Sequence, residues 1–218
     1  MAHMPPVPEL EWILLAPVKR LEQAKSRLST RPAAQRRSLA LAFALDSVRA
    51  MAAATRVREV VVVTDDEQVR GALTAVDVRW LPDGPEPGLN PAVAHAADVV
   101  RAEHPGVGIA VVAADLPALR SDEVDRALLA AAATPRGFVA DAAGTGTTLL
   151  SVRPGALLDP RFGPRSRAAH AASGAVPLSP PAVPGLRRDV DTEVDLWDAG
   201  RLGLGSATAA VVGASSHG

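Results

Sequence analysis

The chain has 218 residues, enough to bury one sizeable core and too few for two comfortable ones. Hydrophobic residues make up 48% and charged ones 22%, the balance of a globular protein, and 23 Lys and Arg against 24 Asp and Glu leave a net charge of −1 that offers no field for holding nucleic acid. The absence of cysteine excludes a disulfide framework, a thiolate metal site and a cysteine nucleophile, and an aromatic content of 3% leaves few platforms on which bases could stack.

No stretch approaches the roughly 18 apolar residues of a membrane span, and no basic segment followed by an apolar run opens the chain, so the expected location is the cytoplasm. Met1 to Met4 reads as a cloning remnant, and residues 1–10 are expected to be disordered. Residues 11–203 then form the working domain, and 204–218 a flexible, Gly/Ser/Ala-rich tail.

Short apolar runs alternate with longer helical patterns, the signature of repeated βα units and a mostly parallel α/β sheet flanked by helices. Trp12 to Ala16 is the first strand. Pro32 to Ala53 predicts a long helix with Leu39, Phe43, Val48 and Met51 on one face. Glu59 to Thr64, with four consecutive valines, predicts a strand covered on both faces and placed centrally. Val76 to Leu81 predicts a third strand, Pro82 to Gly88 a loop, and Asn90 to Glu103 a helix. Gly108 to Ala113 repeats the buried-strand pattern and runs into Ala114-Asp115-Leu116-Pro117. Ser121 is expected to cap the next helix, with Asp122 and Glu123 in its first turn. Strands at Gly137 to Asp141 and Thr147 to Val152 flank a Gly-Thr-Gly turn. Leu186 to Asp191 is expected to pair at a sheet edge before a short helix from Thr192.

Four constellations could carry chemistry. Pro17-Val18-Lys19-Arg20 to Lys25-Ser26-Arg27 puts four cations after the first strand, where open α/β sheets bind ligands; it is either a polyphosphate site or a solvated basic turn, and it is not a P-loop. Asp115, at the end of a buried strand, suits a magnesium ligand or an Asp capping the following turn. In Arg188-Asp189-Val190-Asp191-Thr192, carboxylates at i and i+2 of an extended segment project to one side and can share a hard cation, while Asp191 or Thr192 can also cap the next helix. Gly144-Thr145-Gly146-Thr147-Thr148 and Phe162-Gly163-Pro164-Arg165-Ser166 together make an anion cradle, or else two turns of small residues. His170 lies one turn beyond Ser166 and could touch the anion site, although a surface position is the expectation. No G-x-S-x-G elbow or helical histidine pair is present.

In this order the segments P-V-K-R-L-E-Q-A-K-S-R-L, V-V-T-D-D, G-L-N-P-A-V, A-D-L-P-A-L, F-V-A-D-A-A-G-T-G-T, R-F-G-P-R-S and R-D-V-D-T resemble the phosphoenolpyruvate/2-phospho-L-lactate guanylyltransferase family of coenzyme F-420 biosynthesis. The resemblance implies a single-domain, Rossmann-like (GT-A-like) nucleotidyltransferase fold, related to molybdenum-cofactor guanylyltransferases. It implies GTP and phosphoenolpyruvate as substrates, with 2-phospho-L-lactate or another small phosphoacid as the alternative acceptor. Further implications are Mg²⁺, as two ions, and hand-off of product to the downstream F-420 transferase.

Carried over, acceptor contacts fall on Thr147, Gly163 and Ser166, and metal ligation on Asp115, Asp189 and Asp191. Lys19 and Lys25 face the triphosphate as catalytic cations beside Asp115, and Pro17 and Asn90 belong to the nucleotide side. Two departures stand out. The glycine-rich first loop of the wider superfamily is absent, and Glu193 stands where relatives often have proline, predicting a less rigid helix start.

Overall fold

The computed structural model describes residues 10–23, 28 and 31–214. Lys25 and residues 1–9 therefore lie outside the described residues. Seven strands form one mixed sheet: β1 (Trp12–Pro17), β2 (Val57–Val63), β3 (Arg79–Leu81), β4 (Gly108–Val112), β5 (Arg136–Ala140), β6 (Thr147–Val152) and β7 (Val176–Pro177), in the order β3-β2-β1-β4-β6-β5-β7. The helices are α1 (Ala33–Ala52), α2 (Glu67–Ala72), α3 (Leu89–Glu103), α4 (Ser121–Ala131), α5 (Ser166–Ala172), α6 (Glu193–Leu202) and α7 (Ser206–Ala214). None of the described helices is long and apolar enough to cross a membrane.

Strand alternation divides the core into two layers. Leu14, Val60, Val62, Ala110, Val112 and Leu149 meet α1 and α4 on one face. Ile13, Leu15, Val61, Val63, Ile109, Val111 and Leu150 meet Ala92, Val93, Ala96, Ala97 and Val100 of α3 on the other. The continuous valines of β2 are thus explained by cover on both faces, but β2 lies next to the edge strand β3 and β4 occupies the middle. The expected one-sided face of α1 is present, with Leu39, Phe43, Val48 and Met51 all buried.

Four further expectations are corrected. The third strand spans only Arg79–Leu81, with Val76 and Val78 packed against the core ahead of it. Ser121 is the first helical residue and not the cap; the Glu123 carboxylate instead accepts the backbone N–H of Arg120 at 3.3 Å. Leu186 to Asp191 is a turn followed by irregular chain, not an edge strand, and the sheet edge is filled by β7 pairing with β5. Over Ser206–Ala214 the expected flexible tail is a helix, and residues 215–218 lie outside the described residues. Asp46 of α1 accepts the N–H groups of Ala207 and Thr208 at 3.0 and 2.8 Å, meeting the amides that a helix start leaves unpaired, and Val211 and Val212 pack against the core.

Candidate active site

β1, β2 and β3 extend the sheet in one direction, and the chain then returns to place β4 on the opposite side of β1. This reversal opens a crevice at the carboxyl ends of β1 and β4, where open α/β sheets bind ligands. β6 is antiparallel to both of its neighbours, so it begins at the edge where β1 and β4 end. A cleft of about 600 Å³ lies there.

The cleft is lined by Pro17 and Lys19 from the end of β1, Asp115 beyond β4, Thr147 at the start of β6, Gly163 and Ser166 around the start of α5, and Asp189 and Asp191. Eight of the ten expected site residues therefore meet in one place. Lys25 lies outside the described residues. Asn90, expected beside the nucleoside, instead holds the main chain of Phe162: its Oδ1 accepts the Phe162 N–H at 2.7 Å and its Nδ2 donates to the Phe162 carbonyl at 2.9 Å.

Each wall is held by contacts behind it. On the Asp115 wall, Ser47 accepts the Leu116 N–H at 3.0 Å while donating to the Phe43 carbonyl at 2.7 Å. The Val190 N–H donates to the Asp115 carbonyl at 3.1 Å, which joins the two acidic segments through their backbones. Glu123, buried in the core, accepts the N–H groups of Gly185 and Leu186 at 2.9 and 3.0 Å and fixes the chain just before Arg188. Burial raises the Glu123 carboxyl, and those backbone donors act against the rise.

Downstream, the expected looseness at Glu193 is corrected. Thr192 and Asp195 form a reciprocal capping box, and Arg31 grips Glu193 at 2.7 and 2.9 Å through two guanidinium nitrogens.

On the opposite wall, both Asp141 oxygens organise the Gly-Thr-Gly turn, accepting the N–H groups of Thr145 at 2.8 Å and Gly146 at 2.7 Å. A Cβ on Gly146 would lie 2.5 Å from that carboxylate, so any larger residue there would push the Asp141 side chain away from the turn it organises. Arg187 donates to the carbonyls of Ala140 and Asp141 and ties this turn to the acidic segment. Gly163 has φ +139° and Arg165, the residue before α5, is left-handed at φ +58°. A non-glycine residue in that region carries backbone strain of the kind that collects at ligand sites. The Ser166 N–H is bonded to the Gly163 carbonyl at 3.1 Å, so that amide is already engaged within the turn of the expected cradle. Thr148, also in the cleft, has a buried hydroxyl with no hydrogen-bond partner among the described residues.

The electrostatics centre on Asp189. Burial above all, together with the negative charges of Asp115, Asp141 and Asp191, pushes its carboxyl up to about 7. This concentration of negative charge suits an oxygen-only, hard cation site. Among the described residues no three histidine or acidic side chains are grouped so that they could hold a metal ion. His170, expected at the surface, is fully buried beneath Thr147. Asp141 escaped the sequence reading of the site, and for His170 the reading placed at the surface a ring that is buried; the signal for Asp141 was its position at the end of a buried strand before a Gly-Thr-Gly turn.

The family described as Guanylyl transferase CofC like matches residues 12–173, which include β1 to β6 and most of the cleft. The chain belongs to this family. Among relatives of the CofC-like guanylyl transferases, the phosphoenolpyruvate guanylyltransferase of Streptomyces scabiei is 54% identical over 206 residues, covering 92% of this chain and 95% of that protein. The protein of the same name from Thermomonospora curvata is 51% identical over 203 residues, covering 93% and 89%. In fold, the chain is similar to a putative nucleotide-diphospho-sugar transferase from Desulfovibrio desulfuricans, with a TM-score of 0.67 at 16% identity and coverage of 95% and 96%. A 4-diphosphocytidyl-2C-methyl-D-erythritol synthase gives 0.61 at 14% identity, covering 90% and 99%. The fold is thus that of a nucleotidyltransferase, and the chain is a guanylyltransferase-family enzyme.

Proposed function

We propose that this chain transfers GMP from GTP to phosphoenolpyruvate, giving enolpyruvoyl-2-diphospho-5'-guanosine and pyrophosphate. The observation that carries the reading is the meeting of the Thr147, Gly163 and Ser166 wall with the Asp115, Asp189 and Asp191 wall across one cleft, in a chain about half identical to proteins of that name. An oxygen of the acceptor phosphate attacks the α-phosphorus of GTP, and the bond from that phosphorus to the oxygen bridging to the β-phosphate breaks. Pyrophosphate leaves with the electron pair. The acceptor phosphate has its second ionisation near pH 6, so at neutral pH the nucleophile is already formed and needs no general base.

The barrier the protein must lower is repulsion between two anions, about 4 kcal/mol for unit charges roughly 4 Å apart at an effective dielectric of 20. Thr147 and Ser166 hydroxyls orient the acceptor, Gly163 lets it approach the backbone, and Lys19 and Lys25 neutralise the triphosphate beside Pro17. Asp115, Asp189 and Asp191 would hold Mg²⁺, which when bound supplies charge neutralisation and alignment of the two phosphates. A cysteine-free chain of this kind suits a cytoplasmic enzyme, and the reactive product suits direct hand-off to a downstream transferase.

The test is pyrophosphate release from GTP and Mg²⁺ with phosphoenolpyruvate and 2-phospho-L-lactate in separate reactions. Faster release with phosphoenolpyruvate is expected; release only with 2-phospho-L-lactate, or with neither, overturns the proposal.

A further inference from the structure

His170 bridges the two segments that form the acceptor wall. Its Nδ1 lies 2.9 Å from Thr147 Oγ1 on β6, and its Nε2 lies 2.9 Å from the Arg161 backbone nitrogen. An amide N–H can only donate, so Nε2 must carry a lone pair, and the hydrogen of the neutral ring sits on Nδ1. Nδ1–H therefore donates to Thr147 Oγ1, and the threonine's own hydrogen is turned away from His170. Thr147 lines the cleft, so that hydrogen is available to an anion bound there. The Phe162 ring stands edge-on to the imidazole at 5.1 Å between centroids, and Phe138 lies 6.0 Å away on the β5 side. Asn90 clamps the Phe162 main chain from α3. One buried ring thus sets the direction of the Thr147 hydroxyl and the height of the segment that leads into Gly163 and Ser166.

We propose that His170 is a positioning residue for the phosphoacid acceptor, acting as a fixed neutral donor that makes the Thr147 hydroxyl an obligate donor to the acceptor anion. This rests on the acceptor assigned above. The charged groups around the ring are Arg136 from β5, Asp159 and Arg161, and their effect is consistent with a ring held neutral: burial above all, with Arg136 and Arg161, lowers His170 to about 4 against the opposing effect of Asp159. The imidazole therefore takes no part as acid or base near pH 7.

Two measurements test this. In the ¹⁵N-labelled wild-type protein, long-range ¹⁵N–¹H spectra from pH 5.5 to 8.5 are expected to show His170 as the neutral Nδ1–H form throughout. An Nε2–H form, or a charged ring near pH 7, overturns the proposal.

The second is a double-mutant cycle of His170→Phe, which fills the space without polar atoms, and Thr147→Val. Each single variant is expected to raise KM for phosphoenolpyruvate about tenfold, the worth of a hydrogen bond to a charged group, and to leave KM for GTP within about twofold. The double variant is expected to match Thr147→Val alone, and His170→Asn, whose amide can still donate to Thr147, to recover most of the loss. Multiplying effects, or equal changes in both KM values, would assign His170 a merely structural role. If the wild type does not use phosphoenolpyruvate, the substrate reading fails, while the spectra still decide whether His170 fixes Thr147.

Discussion

His170 accepts a backbone N–H at Nε2 and so can be charged only by breaking that bond, which gives the protein a specific acid sensitivity. Its folded value of about 4 lies below the ordinary 6.5, so between these limits the unfolded chain binds the extra proton. The stabilisation is complete above pH 6.5 and is lost as pH falls toward 4. Chemical denaturation between pH 7 and 4 is expected to show a decline of which roughly 2–3 kcal/mol disappears in His170→Gln. At the other wall, Asp115→Asn removes a carboxylate from the cleft and keeps its shape. Turnover is expected to fall by about two orders of magnitude or more with the melting temperature within a few degrees of wild type, which steady-state kinetics and thermal melting will check. Asp115 was legible in the sequence because a carboxylate at the end of a buried apolar run needs a partner. His170 was not, because nothing in a heptapeptide reveals that a small helix will turn a polar ring inward beneath a threonine 23 residues earlier.

At the scale of elements, alternation and continuity of apolar residues identified the strands that face two helical layers, and β6 was read with its observed bounds. Local patterns failed at 186–191. The valine and leucine there do not build a ladder: Leu186 and Val190 are buried side chains of a turn-rich segment, fastened by Glu123 and by the Asp115 carbonyl. Such long-range anchoring has no sequence period to betray it. Gly185 shows how tightly that segment is seated, since a Cβ would lie 2.2 Å from the Ala118 carbonyl oxygen. Gly185→Ala is expected to cost about 3 kcal/mol in urea unfolding and to depress activity beyond the loss of folded protein, because the chain carrying Asp189 and Asp191 must shift. Wild-type stability in that variant would show that the segment relaxes freely.

At the scale of the whole molecule, α1 links the C-terminal helix to the active-site cleft through two adjacent side chains. Asp46 holds the start of α7, and Ser47 holds Leu116 next to Asp115. The Gly205 N–H adds a bond to the Pro117 carbonyl at 2.8 Å, so the segment that composition assigned to a tail buttresses the turn carrying a proposed metal ligand. Small residues made this helix illegible: a run of Ala, Gly, Ser and Val has the composition of a linker, and its order comes from docking on α1. Removing the Asp46 carboxylate leaves two amides without partners. Asp46→Ala is expected to destabilise by about 3 kcal/mol and to lower the melting temperature by roughly 6–12 °C. An unchanged melting curve would mean that α7 contributes nothing to the fold.

The central claim is the joining of two phosphates across the cleft. Incubating the protein with GTP, Mg²⁺ and phosphoenolpyruvate and following the reaction by ³¹P NMR tests it most directly. The account expects pyrophosphate to rise together with a pair of mutually coupled resonances from a new, unsymmetrical diphosphate diester, both absent with Asp115→Asn. Free GMP with pyrophosphate and no coupled pair, or an unchanged spectrum, would contradict it.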